Sequence, residues 1–216
     1  KQDKVKVNSN PSITKVLKNP PFALKKGNEK ESHFIDYALS QMVDGGLLFA
    51  IIPISVLVES GGKTWRKNLL DKNTLLASVT LPDDLFYPVS VGTIGLFIKK
   101  GISHDYNKNV YFARGIWDGF RKKKGKRLED VKMKNVISEI TQEVKSFIHS
   151  NDNRVQDVPE FKKLCKIDKN DKNLDLTPEN YIDSKIPTME EIQKGVDELI
   201  RENIAFNIRF AHKFNE

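Results

Sequence analysis

Lys18 to Gly27 reads KNPPFALKKG and sets a side-chain amide (Asn19), two prolines (Pro20 and Pro21) and an aromatic ring (Phe22) directly after the apolar run Ile13 to Leu17. Proline has a locked φ and no backbone N–H, so two in succession can neither extend a sheet ladder nor continue a helix. The run must therefore end in a constrained turn, with Asn19 and Phe22 carried on a rigid loop at a strand's end. An amide oxygen held there can accept hydrogen bonds, and the ring offers a stacking face. Asn-Pro-Pro also makes a sound turn for purely local reasons, and the tetrapeptide alone does not separate the two readings.

A second candidate is RKKKGKR, where Arg121, Lys122, Lys123, Lys124, Lys126 and Arg127 place six positive charges in seven residues. Such a run either neutralises nucleic-acid phosphates or is the solvated tip of a hairpin. Over all 216 residues, 36 Lys and Arg against 29 Asp and Glu give a net charge of +7, which favours a polyanionic partner. The single cysteine, Cys165, excludes an internal disulfide framework and points to a reducing compartment, so a cytoplasmic location is expected. His33, His104, His149 and His212 are widely separated and have no ligand-spaced partner, so no metal is expected. The longest apolar run, Leu47 to Val58, contains Pro53 and falls short of the about 20 residues a bilayer span needs, so no membrane partner is expected. Lys1 to Asn10 is polar and charged, unlike a secretory signal, and the chain does not open on methionine; a fragment of something longer is the expectation.

Hydrophobic periodicity outlines the elements that must position these residues. Asn28 with Glu31 reads as a helix start; Phe34, Ile35, Ala38, Leu39, Met42 and Val43 recur at helical spacing, and Asp44-Gly45-Gly46 is expected to stop that helix. Leu47 to Pro53 is apolar without alternation, as in a strand covered on both faces. A short helix around Trp65 to Leu70, with Trp65 in the core, precedes a strand from Thr74 to Pro82; a long turn, DDLFYPVSVG, leads into a strand from Thr93 to Lys100. Strands alternating with helices, then a strand with no helix before it, describe an open α/β sheet closed by an antiparallel pair. Asn109 to Arg127 suggests a hairpin with an exposed basic end, and Val136, Ile137, Ile140, Val144, Phe147 and Ile148 mark an amphipathic helix. Loops and short elements are expected from Ser150 to Asp175. Thr188 with Glu191 reads as a capping box for a last helix whose stripe of Met189, Ile192, Val196, Leu199, Ile200 and Ile204 would pack on a partner or on the core.

NPPF, followed by ESHFIDYALSQMVDGGLLFAIIP and then WRKNLLDKNTLLASVTLPDDLFYPVSVGTIGLFIKK, resembles the amino-DNA methyltransferases that modify adenine. The likeness is greatest to the modification subunits of type I-like restriction-modification systems and runs from Ile13 to Lys126. It implies S-adenosylmethionine-dependent methylation of the exocyclic amino group of adenine in DNA. The lone pair of that amino group is delocalised into the ring, so two aimed acceptors are needed: the Asn19 side-chain oxygen and the Pro20 carbonyl, in a turn stiffened by Pro21. Phe22 would stack on a flipped-out base, with Phe86 or Tyr87 supplying an aromatic to its other face. The basic run would meet DNA phosphates, and specificity and restriction subunits would be the protein partners. LTPENYIDSKI looks like the segment that leads out of the catalytic domain.

The fold so implied is α/β: the C-terminal half of a Rossmann-like class I methyltransferase sheet, strands four to seven with the last pair antiparallel, followed by a mixed α/β extension. The family's strand order is three, two, one, four, five, seven, six. No glycine-rich turn precedes Asn19, so the chain is expected to begin at strand four and to lack most of the S-adenosylmethionine site. Residues 1–104 would be the acceptor half and 105–216 a hairpin and helical extension. An inner strand bearing Ile13, Val16 and Leu17 would be left as an edge, open to a homodimer or to another polypeptide carrying the donor half, and the chain alone would be inactive. Lys15 and Lys18 depart from the family's apolar strand. Two other classes share these features: a non-catalytic methyltransferase-like module for assembly or DNA binding, and a methyltransferase acting on RNA or on a protein amide.

Overall fold

The structure, a computed structural model, describes residues 12–22, 30–86, 91–123, 125–150, 157–158 and 160–183, with positions 193, 196–197, 200–201 and 203–204. The chain divides into two units, residues 1–183 and 184–216. In the first, the described elements are β1 (Ile13–Lys18), α1 (Glu31–Ser40), β2 (Met42–Pro53), the single turn α2 (Ser55–Val58), α3 (Lys63–Lys72), β3 (Asn73–Thr80) and β4 (Thr93–Lys100). There follow β5 (Val110–Arg114), β6 (Phe120–Lys123), β7 (Lys126–Glu129), α4 (Val136–Ser150) and β8 (Lys162–Cys165).

Six strands form one mixed sheet in the order β1-β2-β4-β3-β5-β8, and β6-β7 is a separate hairpin. β1 is parallel to β2, and β3 to β5, while β4 runs antiparallel to both of its neighbours, β2 and β3. β8 closes the far edge, antiparallel to β5. One face of the sheet packs against α1 and α3 through Ile35, Ala38, Leu39, Leu69 and Leu70. The other packs against α4 through Ile140, Val144 and Phe147. This explains the unbroken apolar run of β2: Leu48, Ala50 and Ile52 are fully buried on the α1 and α3 side, while Phe49 and Ile51 meet the α4 layer. Gly95 of β4 admits the Phe49 ring, since a Cβ there would lie 2.7 Å from it.

Two expectations change. The first helix ends at Ser40 rather than running through Val43, because the buried Met42 already pairs with Ile13 of β1. Asp44-Gly45-Gly46 is then an irregularity inside β2: Gly45 has φ of +80°, and the register shifts between the Ile13–Met42 and Lys15–Leu47 pairs. Strand pairing outweighs helical periodicity here. Second, strands beyond residue 104 join the sheet, where β5 pairs with β3 and β8 with β5. The loops and short elements expected from Ser150 to Asp175 include β8, and the segment after it returns onto the α1 and α3 face through Leu174, Leu176 and Ile182.

Arg66 of α3 anchors that return. It is fully buried and donates from Nε to the Leu174 carbonyl (3.0 Å), from Nη1 to Val56 (2.7 Å), and from Nη2 to Glu59 (2.8 Å) and Asn173 (2.7 Å). Burial pushes its pKa down, against the fields of Asp175, Asp171 and Glu59. The segment then bonds to β3, with the Ser78 hydroxyl donating to the Leu176 carbonyl (2.8 Å) and the Thr80 hydroxyl to Glu179 (2.7 Å). In the second unit, positions 193, 196–197, 200–201 and 203–204 are helical, with Val196, Ile200 and Ile204 exposed at four-residue spacing. Asn28, Thr188, Met189, Glu191, Ile192 and Leu199 lie outside the described residues.

Two measurements test this packing. Arg66→Ala leaves four carbonyls without their donor and is expected to lower the unfolding free energy by about 3 kcal/mol or more in urea titrations. The His104 ring is buried edge-on to Tyr106, and burial, opposed by Asp105, pushes its pKa down to about 4 from 6.5. Between those values the unfolded chain binds a proton that the folded one refuses. Stability should therefore fall as pH drops from 6.5 toward about 4, and His104→Leu should remove that part of the slope.

Candidate active site

The parallel strands β1, β2, β3 and β5 all end on one edge of the sheet, and β4 begins there. In open α/β sheets the carboxyl ends of the strands are where ligands bind. Asn19 is the first residue beyond β1, exposed, and its side chain makes no hydrogen bond to the described residues. Pro20 is buried, Pro21 exposed and Phe22 half-buried, so the turn is rooted in the fold while its amide faces outward.

The loop after β3 arrives at the same place. Leu81 N–H donates to the Thr93 carbonyl (2.9 Å), Leu85 N–H to Pro82 (3.1 Å), and Ile54 N–H at the end of β2 to Gly92 (3.0 Å). These bonds lay the loop along the carboxyl edge. Its Phe86 meets Phe22 edge to face, with ring centroids 5.2 Å apart and planes at 89°. Asn19, Pro20, Pro21, Phe22 and Phe86, taken from two stretches more than sixty residues apart, are thus gathered at one edge. Tyr87 lies outside the described residues.

The basic run is a hairpin, β6-β7, turning at Gly125 with φ of +79°. Its charges are not equivalent. Arg127 Nη2 is bonded to both oxygens of Asp118 (2.9 and 2.8 Å) and to Asp84 of the Phe86 loop (3.1 Å). The Arg127 guanidinium is thus directed to two carboxylates, unlike the exposed lysines of the same hairpin. Arg121 pairs with Asp130 at 2.9 Å, while Lys122 and Lys126 are exposed. Lys124 and the side chain of Lys123 are outside the described residues. Sequence reasoning missed Asp84 and Asp118, because an acidic residue in a turn gives no sign of which distant cation it will meet.

The remaining singled-out residues sit away from this edge or in structural roles. His33 is exposed on α1, where its Nδ1 accepts from the Lys30 N–H that caps the helix (3.4 Å). Trp65 packs against the core and donates its indole N–H to Asp36 (3.0 Å). Cys165 lies in β8 rather than in a loop, and burial pushes its thiol up to about 11. Among the described residues no cluster of three His, Cys, Asp or Glu is placed to hold a metal, and no helix is long and apolar enough to cross a membrane.

The family profile described as N-6 DNA Methylase matches residues 3–190. The chain belongs to this family. Within it, the chain is 37% identical over 113 residues to the type II restriction enzyme and methyltransferase RM.BcgI of Heyndrickxia coagulans, covering 50% of this chain and 18% of that protein. It is 24% identical over 213 residues to the type I restriction enzyme MpnII methylase subunit of Mycoplasma pneumoniae, covering 86% of this chain and 37% of the subunit. The crystal structure of a type I restriction-modification methyltransferase subunit from Streptococcus thermophilus shares the fold, with a TM-score of 0.56 at 20% identity over 80% of this chain and 39% of that one. The chain thus spans well under half the length of each of these relatives.

Family membership implies a methyl donor, S-adenosylmethionine. Among the described residues β5 runs into glycine at the carboxyl edge, but a Cβ at its Gly115 would lie 2.6 Å from Ile137 and 2.9 Å from the Thr80 carbonyl, so that turn is filled by packing rather than open to the donor's adenosyl group. The described residues therefore offer no open glycine cradle of that kind.

Proposed function

We propose that this chain is the methyl-accepting half of an adenine-N6 DNA methyltransferase of a restriction-modification system, with S-adenosylmethionine as methyl donor. The observation that carries the proposal is the Asn19–Phe22 turn at the end of β1, with Phe22 edge to face with Phe86. In this reading β1, β2, β4 and β3 are strands four, five, seven and six of a Rossmann-like class I methyltransferase sheet; their order and the reversal of β4 support the assignment. Residues 1–104 are the acceptor half of the catalytic domain, and 105–216 its hairpin and helical extension.

The chemistry follows from placement. A target adenine flipped out of the duplex presents two N–H donors on its amino group. The Asn19 side-chain oxygen accepts one and the Pro20 carbonyl the other, drawing the nitrogen toward pyramidal geometry and freeing its lone pair. Phe22 stacks on the base, and Phe86, with Tyr87 beside it in sequence, closes the other side. Rings 5.2 Å apart cannot hold a base between them, since two stacked contacts need about 3.5–4 Å each, so the base must part the pair. The exposed Lys122 and Lys126 are the charges we assign to the DNA backbone.

β1 pairs with β2 on one side, and Leu17 on it is 74% exposed. We read its open edge as the seat of the donor-binding strands, from the same polypeptide, a second copy or a partner subunit. The chain by itself is then inactive, and specificity and restriction subunits complete a cytoplasmic assembly.

The test uses the intact protein with its partner subunits in a host lacking adenine methylation, with N6-methyladenine in its DNA quantified by mass spectrometry. Asn19→Ala is expected to lower the product at least about 100-fold while leaving DNA affinity intact. Unmarked DNA from the wild-type assembly, or undiminished marking by the variant, would overturn the reading.

A further inference from the structure

We propose that Arg127 is a positioning residue of the base pocket, linking the DNA-facing hairpin to the loop that carries Phe86. The inference rests on the reading of that pocket as the seat of a flipped adenine. Its physical basis is independent of it: Arg127 Nη2 is bonded to Asp118 at 2.8 and 2.9 Å and to Asp84 at 3.1 Å. Side-chain exposures of 18%, 14% and 27% for Arg127, Asp118 and Asp84 leave the cluster partly shielded from water, where a shared cation holds two carboxylates far better than at an open surface.

Each partner belongs to a different segment. Asp84 stands two residues before Phe86 in the loop between β3 and β4. Asp118 precedes β6, is bridged to Asn135 ahead of α4, and also accepts the Phe120 N–H (3.1 Å). Arg127 itself is on β7, stacked over Phe120 at 5.6 Å, one residue from the exposed Lys126. Removing the guanidinium leaves two neighbouring carboxylates facing each other, so the loop and the hairpin base are pushed apart. Since a base can enter only when Phe86 leaves Phe22, whatever fixes Asp84 sets how readily the pocket opens. A hairpin seated on phosphates would act on the loop through this one link.

The experiment compares wild type, Arg127→Gln, Asp84→Asn and Lys126→Gln in the intact assembly. Asp84→Asn leaves the Arg127–Asp118 pair in place, so it reports on the link even if Arg127→Gln folds poorly. Hydrogen exchange of the amides of residues 83–86 is expected to accelerate in Arg127→Gln and Asp84→Asn and to stay unchanged in Lys126→Gln. On duplex DNA, kcat is expected to fall at least about tenfold in the first two with KM within about twofold, and to recover when the target adenine faces an abasic site and needs no unpairing. Unchanged exchange in Asp84→Asn, or a loss expressed wholly as weaker, less salt-sensitive DNA binding by Arg127→Gln, would overturn the link and make Arg127 a phosphate contact. If wild type methylates no adenine, the reaction assignment fails, while the exchange comparison still decides the link.

Discussion

The position of β4 governs the architecture. It lies antiparallel between two strands that run the same way, with Thr93 opposite Pro53 of β2 and Ile94 opposite Thr80 of β3. A strand bonded on both sides cannot slide, so its first residues are fixed between the ends of its neighbours. The chain leaving β3 must then re-enter the sheet from the edge at which it left. The connecting loop is confined to the carboxyl edge, one strand away from β2 and two from β1, and Phe86 comes to Phe22 as a result. Had β4 paired parallel, the connection would have had to cross to the opposite edge before re-entering the sheet.

Holding the carboxyl edge in shape takes polar groups as well as packing. The end of β3 is tied by Thr80 to Glu179 and by Ser78 to the Leu176 carbonyl, and the segment bearing both is clasped by Arg66 of α3. A buried guanidinium is tolerated because four carbonyls accept its protons. On the other flank, Lys162 of β8 lies between Glu139 and Glu143 of α4, and Glu143 also accepts the Tyr111 hydroxyl (2.7 Å), joining the helix to strands β5 and β8. The site is thus built from a rigid turn, rooted by the buried Pro20, facing a loop held by bonds at its two ends and by one ion cluster.

Much of this was legible in the chain. The apolar run of β2, the amphipathic spacing of α4 and the Gly-turned basic hairpin each announce themselves because hydrophobic period and turn chemistry are local properties. The first helix was read too long, because Met42 and Val43 continue its period and only pairing with β1 shows that they are strand. β5 and β8 were assigned to an extension because short strands carry no label saying which sheet they join. Arg127 was grouped with its neighbours by charge, and charge in sequence is silent about which carboxylate will be near.

What the sequence by itself determined is the chemistry available: an amide and a ring on a proline-locked turn that must end a strand, with a second aromatic after a later strand. Proline's missing N–H and fixed φ act within a few residues, so no tertiary context could have undone that turn. Only the tertiary structure decided that Phe86 faces Phe22, that Arg127 turns inward to Asp84 and Asp118, and that Arg66 is buried among carbonyls. Those contacts join residues from distant parts of the chain. Their partners are chosen by strand order and layer packing, which arise from the burial of many side chains at once and from no single local signal.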